Sequence, residues 1–486
     1  MADPIDVMFG EFLPDQPDYK NPGLVVAENV IPRAGAYWPQ YGLVAQEEEA
    51  TGAIRGAQLM FGANGDTIIV GGTTTKLFVD VGGAVTESDT AEDVVAPDSW
   101  DFCRFNDFVI ATSIANAPYY LTDLDSDTSW AALTGSPPNA HYCARVGDFV
   151  MLGNIADHPN RVQWSAFNSP AASWADSRLT QARYADLTRA FGAVQRIVGG
   201  RYGMVFQEFG VQRVEYVGPP GVHRFTEIES ARGCVAPFSV VTIGFITYYL
   251  SQDGFWSTDG NSFQPIGTGR VNKWFFENCN VAKLAETHGT VDFENECIVW
   301  AFKTADSFDR LIRYSYTDNR WSYARVETSR LLETVLGGMT LEDIGALYAT
   351  IEDVPASLDD PRWQGRNRTL AAYVDGATTT DLNTFSGERL APNVETGEFQ
   401  PVPGQRVTTL TARPLGKGGE VFTVAAVAIG NDRTETVGDF NAVMEAGWAP
   451  IRADGQSMRL ALRAAAGADW ESLQGAQVGF RPSGGR

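Results

Sequence analysis

The sequence carries 60 acidic residues, and the arrangements in which carboxylates do chemistry are few. Glycoside hydrolysis needs two of them facing each other across a cleft. With so many acids, no pair stands out from the sequence. Asp123-Leu-Asp-Ser-Asp127 begins like a calcium loop, but Thr128 stands where the sixth-position glycine belongs and Thr134 where the twelfth-position acid belongs. It reads as a solvated acidic turn. The four histidines, His141, His158, His223 and His288, have no metal-ligand spacing. The five cysteines, Cys103, Cys143, Cys234, Cys279 and Cys297, are widely spaced and form no C-x-x-C pair, so buried reduced thiols are expected. There is no G-x-S-x-G elbow, phosphate-binding Walker loop or H-E-x-x-H helix. No catalytic, cofactor-binding or metal-binding residue is assigned. The expectation is a protein without catalysis and without a cofactor.

Aromatic and basic residues are the other candidates. Trp100, Trp164, Trp256, Trp300 and Trp321 recur at corresponding places in successive segments. A stacking platform for sugars or bases is one use of such a series; core packing is far commoner and is the expectation here. Arg145, Arg161, Arg196, Arg201 and Arg213 give the middle of the chain a local cationic bias. They could meet DNA, meet acidic neighbours in a ring, or only blunt strand edges.

The elements that must hold these residues are strands. A unit recurs at roughly forty residues, the spacing of β-propeller blades. Each unit has an apolar strand, a Gly/Asn/Asp turn and a second strand rich in aromatics. Examples are Trp100–Thr112, His141–Gly153, Ala193–Phe206, Ser239–Leu250 and Gly289–Phe302. A weaker seventh unit includes Ala346–Thr350 and Leu370–Val374. Asn64-Gly65, Asp253-Gly254 and Asp259-Gly260 suit tight reversals. Radial stacking of four-stranded sheets would cover both faces of each, whereas a sandwich or barrel would show the same turn spacing. The fold expected is all-β, a propeller of about six to eight blades. A helix is expected over 270–278, bridging two blades, and a loop over 359–368. Residues 1–50, punctuated by prolines, read as an extended arm that straps across a domain or reaches a neighbour. Residues 51–382 would be the propeller, and 383–486 a small sandwich-like β-domain for assembly or docking.

Propeller sialidases mark their repeats with S-x-D-x-G-x-T-W. Ser251-Gln-Asp-Gly-Phe-Trp256 and the following Ser257-Thr-Asp-Gly-Asn-Ser-Phe263 put glycine one place too early, so two adjacent Asp-Gly turns are the simpler reading. Asn367-Arg-Thr369 fits a glycosylation acceptor, but carries little weight without a secretion signal. The start, Met1-Ala-Asp-Pro-Ile-Asp, has no basic and apolar signal regions. The longest apolar stretches, around Val240–Leu250 and Val421–Gly430, are short of a membrane span, so no membrane insertion is expected. The net charge of −23 argues against a protein that grips a duplex and suits a surface that DNA passes without sticking.

The order of features resembles the tail nozzle proteins of short-tailed bacteriophages, also called tail hub or packaged-DNA stabilisation proteins. The resemblance is carried by the arm ending in Ile31-Pro-Arg-Ala-Gly-Ala-Tyr-Trp-Pro-Gln-Tyr-Gly42. It continues through Asn160–Ser165, Arg213–Gly218, Gly233–Pro237 and Leu250–Phe255, and ends in the β-rich C-terminal domain. It implies a structural virion protein, assembled in the host cytoplasm as a homohexameric ring. That ring would sit below the head-to-tail adaptor and portal, enclose the DNA exit channel, and carry needle, knob or spike proteins. It implies no catalytic residues. The alternative is a propeller glycosidase or glycan-binding tail protein acting on host surface polysaccharide.

Overall fold

Short runs of β-branched and aromatic residues separated by Gly, Asn and Asp turns fold as antiparallel hairpins, and nearly every element is a strand. The computed structural model describes residues 3–19, 21–63, 65–335, 368–430 and 434–482. Among them, six four-stranded sheets and the first four strands of a ten-stranded sheet make seven blades. The first strands of the blades are Ile54–Phe61, Asp101–Phe105, Ala140–Val146, Val194–Val198, Val241–Ile243, His288–Asp292 and Arg330–Val335. They line the axis, and the strand of blade 7 packs against that of blade 1. The outer strand of blade 7 is Val44–Thr51, which pairs antiparallel with Thr379–Thr384 before the chain enters blade 1. The ring is therefore closed by hydrogen bonds between distant parts of the chain.

The second body is a two-sheet sandwich. One sheet combines Ile5–Met8, Val30–Arg33 and Ala36–Pro39 with Val407–Lys417, Ala449–Gly455 and Ser472–Pro482. The other extends the sheet of blade 6: Arg320–Ala324 pairs parallel with Leu24–Glu28, followed by Asn393–Thr396, Ser457–Arg463 and Thr423–Ile429. The first fifty residues are divided between the two bodies. Residues 5–39 are strands of the sandwich, and 44–51 are a strand of the propeller, whose last blade runs to Thr384. Asn29, at φ 57°, turns the chain from one sandwich sheet into the other, a left-handed conformation that Asn adopts more readily than most residues. Glu28 beside it accepts from the Tyr323 hydroxyl (3.0 Å) and pairs with Arg325 (2.6 Å). Asp15 caps the expected bridging helix, observed as Asn272–Asn278, by accepting from the Lys273 and Trp274 backbone N–H groups at 2.8 Å. One continuous apolar cluster runs from Trp300 and Trp321 in blade 6 to Leu460, Leu462 and Trp470 in the sandwich. Among the described residues, no helix is long and apolar enough to cross a membrane.

Blades are stapled by buried side chains that hydrogen-bond a neighbour's backbone or pack against its rings. The Trp100 indole donates to the Thr73 carbonyl of blade 1 (3.0 Å), and Gly72 is needed there because a Cβ would collide with the ring. His288 accepts from the Leu331 N–H of blade 7 (3.0 Å), and its burial holds its pKa well below the usual histidine range. His223, in the outer strand of blade 4, lies edge-on to Phe149 and Trp164 of blade 3, with both centroid distances 4.7 Å. Neither of its ring nitrogens has a hydrogen-bond partner among the described residues. Burial pushes its pKa from 6.5 down to about 4.

A histidine held neutral in the fold and free to protonate when unfolded destabilises the protein as pH falls. The loss begins near pH 6.5 and is complete near pH 4, and reaches about 3 kcal/mol for a shift of this size. His223→Phe should keep the packing and remove that part of the acid sensitivity. Chemical denaturation of both proteins between pH 7.5 and pH 4 checks this; parallel curves for the two would refute the assignment.

Candidate functional site

The place where side chains of special chemistry converge is the propeller axis. Inner strands end there at tight hairpins, so residues near the strand ends share one mouth. Arg104, Arg145, Arg196 and Arg201 line an open cavity of about 860 Å³, and Asp148 is the one carboxylate on its wall among the described residues. Blades 3 and 4 are laced at this mouth: Gly200 N–H donates to the Arg145 carbonyl (2.9 Å) and Gly147 N–H to the Gly200 carbonyl (2.8 Å). Gly199 permits this approach, since a Cβ there would strike the Arg145 carbonyl. Arg145 lies over the Phe105 ring at 5.1 Å, and its Nε donates to the Gly147 carbonyl at 3.1 Å. Arg104 is held by the Asn106 carbonyl (2.7 Å) and the Phe61 carbonyl.

Deeper along the axis, Asp101 ties three blades together. Its carboxylate accepts from Phe102 N–H in its own blade and from Cys143 N–H in blade 3, both at 3.0 Å, and pairs with Arg196 of blade 4 at 2.7 Å. The guanidinium groups of Arg196 and Arg330 both lie against Phe238, at 5.0 and 4.5 Å from its centroid. No described carboxylate lies within ion-pair distance of Arg330. Burial, and then the like charge of Arg196, push its pKa down to about 10. Glu333, on the same wall, is raised by burial and faces Arg368 at 3.5 Å.

The five arginines singled out in the sequence therefore divide. Arg145, Arg196 and Arg201 meet at the axis. Arg161 lies outward, bidentate to Asp186 (2.7 and 3.0 Å) and 4.1 Å above Tyr184. Arg213 pairs with Glu215 at 2.8 Å. Arg104 and Arg330 were not singled out. For Arg104 the signal was present: Arg104-Phe-Asn-Asp-Phe108 repeats as Arg145-Val-Gly-Asp-Phe149, so both fall at the same place in their blades.

The five tryptophans are core residues, each at most 7% exposed. Their indole N–H groups are satisfied by Thr73, Gln181, Asp253, Ser239 and Ile266. The two near-matches to the sialidase motif are turns, with Gly254 at φ 123° and Gly260 at φ 83°. In the calcium-like segment, Asp127 accepts from the Thr122 and Asp123 N–H groups, and Asp125 from the Ala63 N–H of blade 1. Those carboxylates order backbone. All five cysteines are free thiols. Ala346–Thr350, Asn64, Asn367 and most of the expected loop at 359–368 lie outside the described residues.

No family model matches the chain, and no curated protein matches it. Among solved structures the chain is similar to BBS1N in complex with ARL6DN, at 12% identity and a TM-score of 0.40, over 72% of this chain and 97% of that one. It is similar to the Pan2 WD40 domain of Neurospora crassa at 9% identity and a TM-score of 0.39, over 71% and 95% of the two chains. BamB from Moraxella catarrhalis is similar at 15% identity and a TM-score of 0.33, over 78% and 99%. The blade count rests on the strand pairings above and not on these distant likenesses.

The two axial arginines should respond oppositely to removal of charge. Arg196→Met leaves the buried Asp101 carboxylate without its cation and should cost about 3 kcal/mol, the low end for a broken buried pair because two N–H groups still hold it. Arg330→Met removes a cation with no counter-ion and should be neutral or stabilising. Denaturant midpoints of the two variants measure this; equal losses would contradict the pairing described.

Proposed function

We propose that this chain is a structural subunit of a viral tail, a nozzle whose copies form a ring around the exit path of the genome. The observation that carries the reading is the way the two bodies are joined. The sheet of blade 6 is joined to the sandwich through the Glu28–Tyr323 pairing, and the chain's first strands are built into both bodies. Such a join resists bending, as a part that transmits load between an adaptor above and needle, knob or spike proteins below must do. The order of arm, propeller and β-domain along the sequence supports the same reading.

The axial cavity has the size of a small-molecule site. A duplex would therefore pass through an opening between subunits and not down the propeller axis. With −23 per chain, a homohexamer presents a strongly acidic assembly, and acidic walls along the opening would let phosphates slide past. The reading assigns no catalysis. Hydrolysis of a glycan needs one protonated and one free carboxylate across a cleft, and Asp101 and Glu333 at the axis face Arg196 and Arg368 instead.

Electron microscopy of the purified protein tests the reading. Rings with a central opening, six subunits each, are expected, alone or on addition of the adaptor-portal complex. A protein that stays monomeric under both conditions and releases reducing sugar from host polysaccharide would replace this reading with the glycosidase. A monomer that binds host cells without cleavage would replace it with a glycan-binding tail protein.

A further inference from the structure

We propose that the mouth of the propeller axis at Arg104, Arg145 and Arg201 is a binding site for a phosphate group carried on a small molecule. This inference is independent of the nozzle reading. It begins with charge. Acids outnumber basic residues 60 to 37 over the chain, yet this cavity wall carries four guanidinium groups and one carboxylate. Arg196 is neutralised by Asp101. The other three arginines against Asp148 leave an excess of two positive charges, close to the −1.5 to −2 of a phosphate monoester at about pH 7.

Arg104 is held by the Asn106 and Phe61 carbonyls, but donors of the other two arginines are open. Arg145 uses its Nε on Gly147, and both of its Nη groups have no partner among the described residues. Among the described residues, Arg201 meets only the face of Tyr202, at 5.8 Å. Guanidinium groups are not gathered without anions at no cost: like charges repel, and each fork is shaped for an oxyanion. A carboxylate brings two oxygens and one negative charge, whereas a phosphate monoester brings three oxygens and nearly two charges, which matches the excess on this wall. The frame is rigid where it matters, because the Gly199-Gly200 lacing fixes Arg145 beside the hairpin that carries Arg201. On the hairpins of blades 4 and 5 at this end, Tyr202 and Phe245 are 56% and 93% exposed. Tyr202, directly after Arg201 and with its ring under that guanidinium, offers an apolar face to the body that carries the phosphate. The cavity, about 860 Å³, accommodates a ligand of nucleotide or sugar-phosphate size.

Calorimetric titration of the full-length protein decides the matter, with inorganic phosphate, a nucleoside monophosphate, a hexose phosphate and acetate as probes at constant ionic strength. Saturable binding of phosphate at one site per chain is expected, with acetate at least about tenfold weaker. Tighter binding of either organic phosphate would show which body the rim prefers; equal affinities would confine recognition to the phosphate, as proposed. Arg201→Gln, at an exposed position, should weaken phosphate binding about tenfold, and Arg145→Lys should weaken it through loss of the fork. Arg406→Gln, in the sandwich and paired with Asp454, should bind as the parent does. Absence of saturable binding, acetate binding as well as phosphate, or an unchanged affinity in both axial variants would overturn the site. Circular dichroism and melting confirm that each variant is folded.

Discussion

Closure of the ring by Val44–Thr51 is the constraint on which the rest of the structure depends. A blade has two sheet edges, and the outer edge of blade 7 would be an open row of backbone donors and acceptors without that strand. Because the strand leads directly into Ile54–Phe61, closing blade 7 also fixes the start of blade 1. The partners, Val44–Thr51 and Thr379–Thr384, are more than three hundred residues apart in sequence. The ordering entropy of the whole ring is therefore incurred before this pairing is gained, which favours slow and highly cooperative folding.

The same economy of termini builds the sandwich. Leu24–Glu28 fits between blade 6 and Asn393–Thr396, so one sheet crosses from propeller to sandwich. Glu28 and Asn29 hold that crossing with their side chains, Glu28 on Tyr323 and Arg325, and Asn29 on the Arg325 N–H at 2.9 Å. The two bodies share one apolar cluster, so a strain imposed on the sandwich is felt in blades 5 and 6. This is a different design from two domains on a flexible linker, whose default is relative motion.

Charge is sorted by depth. Asp127 and Asp259 lie at turns and accept from backbone N–H groups. The arginines at the axis sit where inner strands converge, and there Asp101 serves as the common anion for blades 2, 3 and 4. Histidines are used the other way: His223 and His288 are kept neutral by burial between blades, which adds acid sensitivity at those two interfaces.

The sequence by itself determined the strands, their turns, the repeat and the core role of the tryptophans. These are local properties: alternation, an Asp-Gly reversal at 253–254 or 259–260, and an indole too large to leave exposed. The bridging helix, expected over 270–278 and observed over Asn272–Asn278, is local in the same sense. Only the tertiary structure decided the number of blades and the destinations of the first fifty residues, because strands 5–8, 24–28 and 44–51 look alike in sequence while their partners lie hundreds of residues away. It alone decided which arginines meet. Arg145 and Arg161 are equally basic and close in sequence, but one lies on the innermost strand of blade 3 at the axis and the other on its third strand, beside Asp186 of the outermost. Radial position within a blade sets that difference, and no local pattern of residues encodes it.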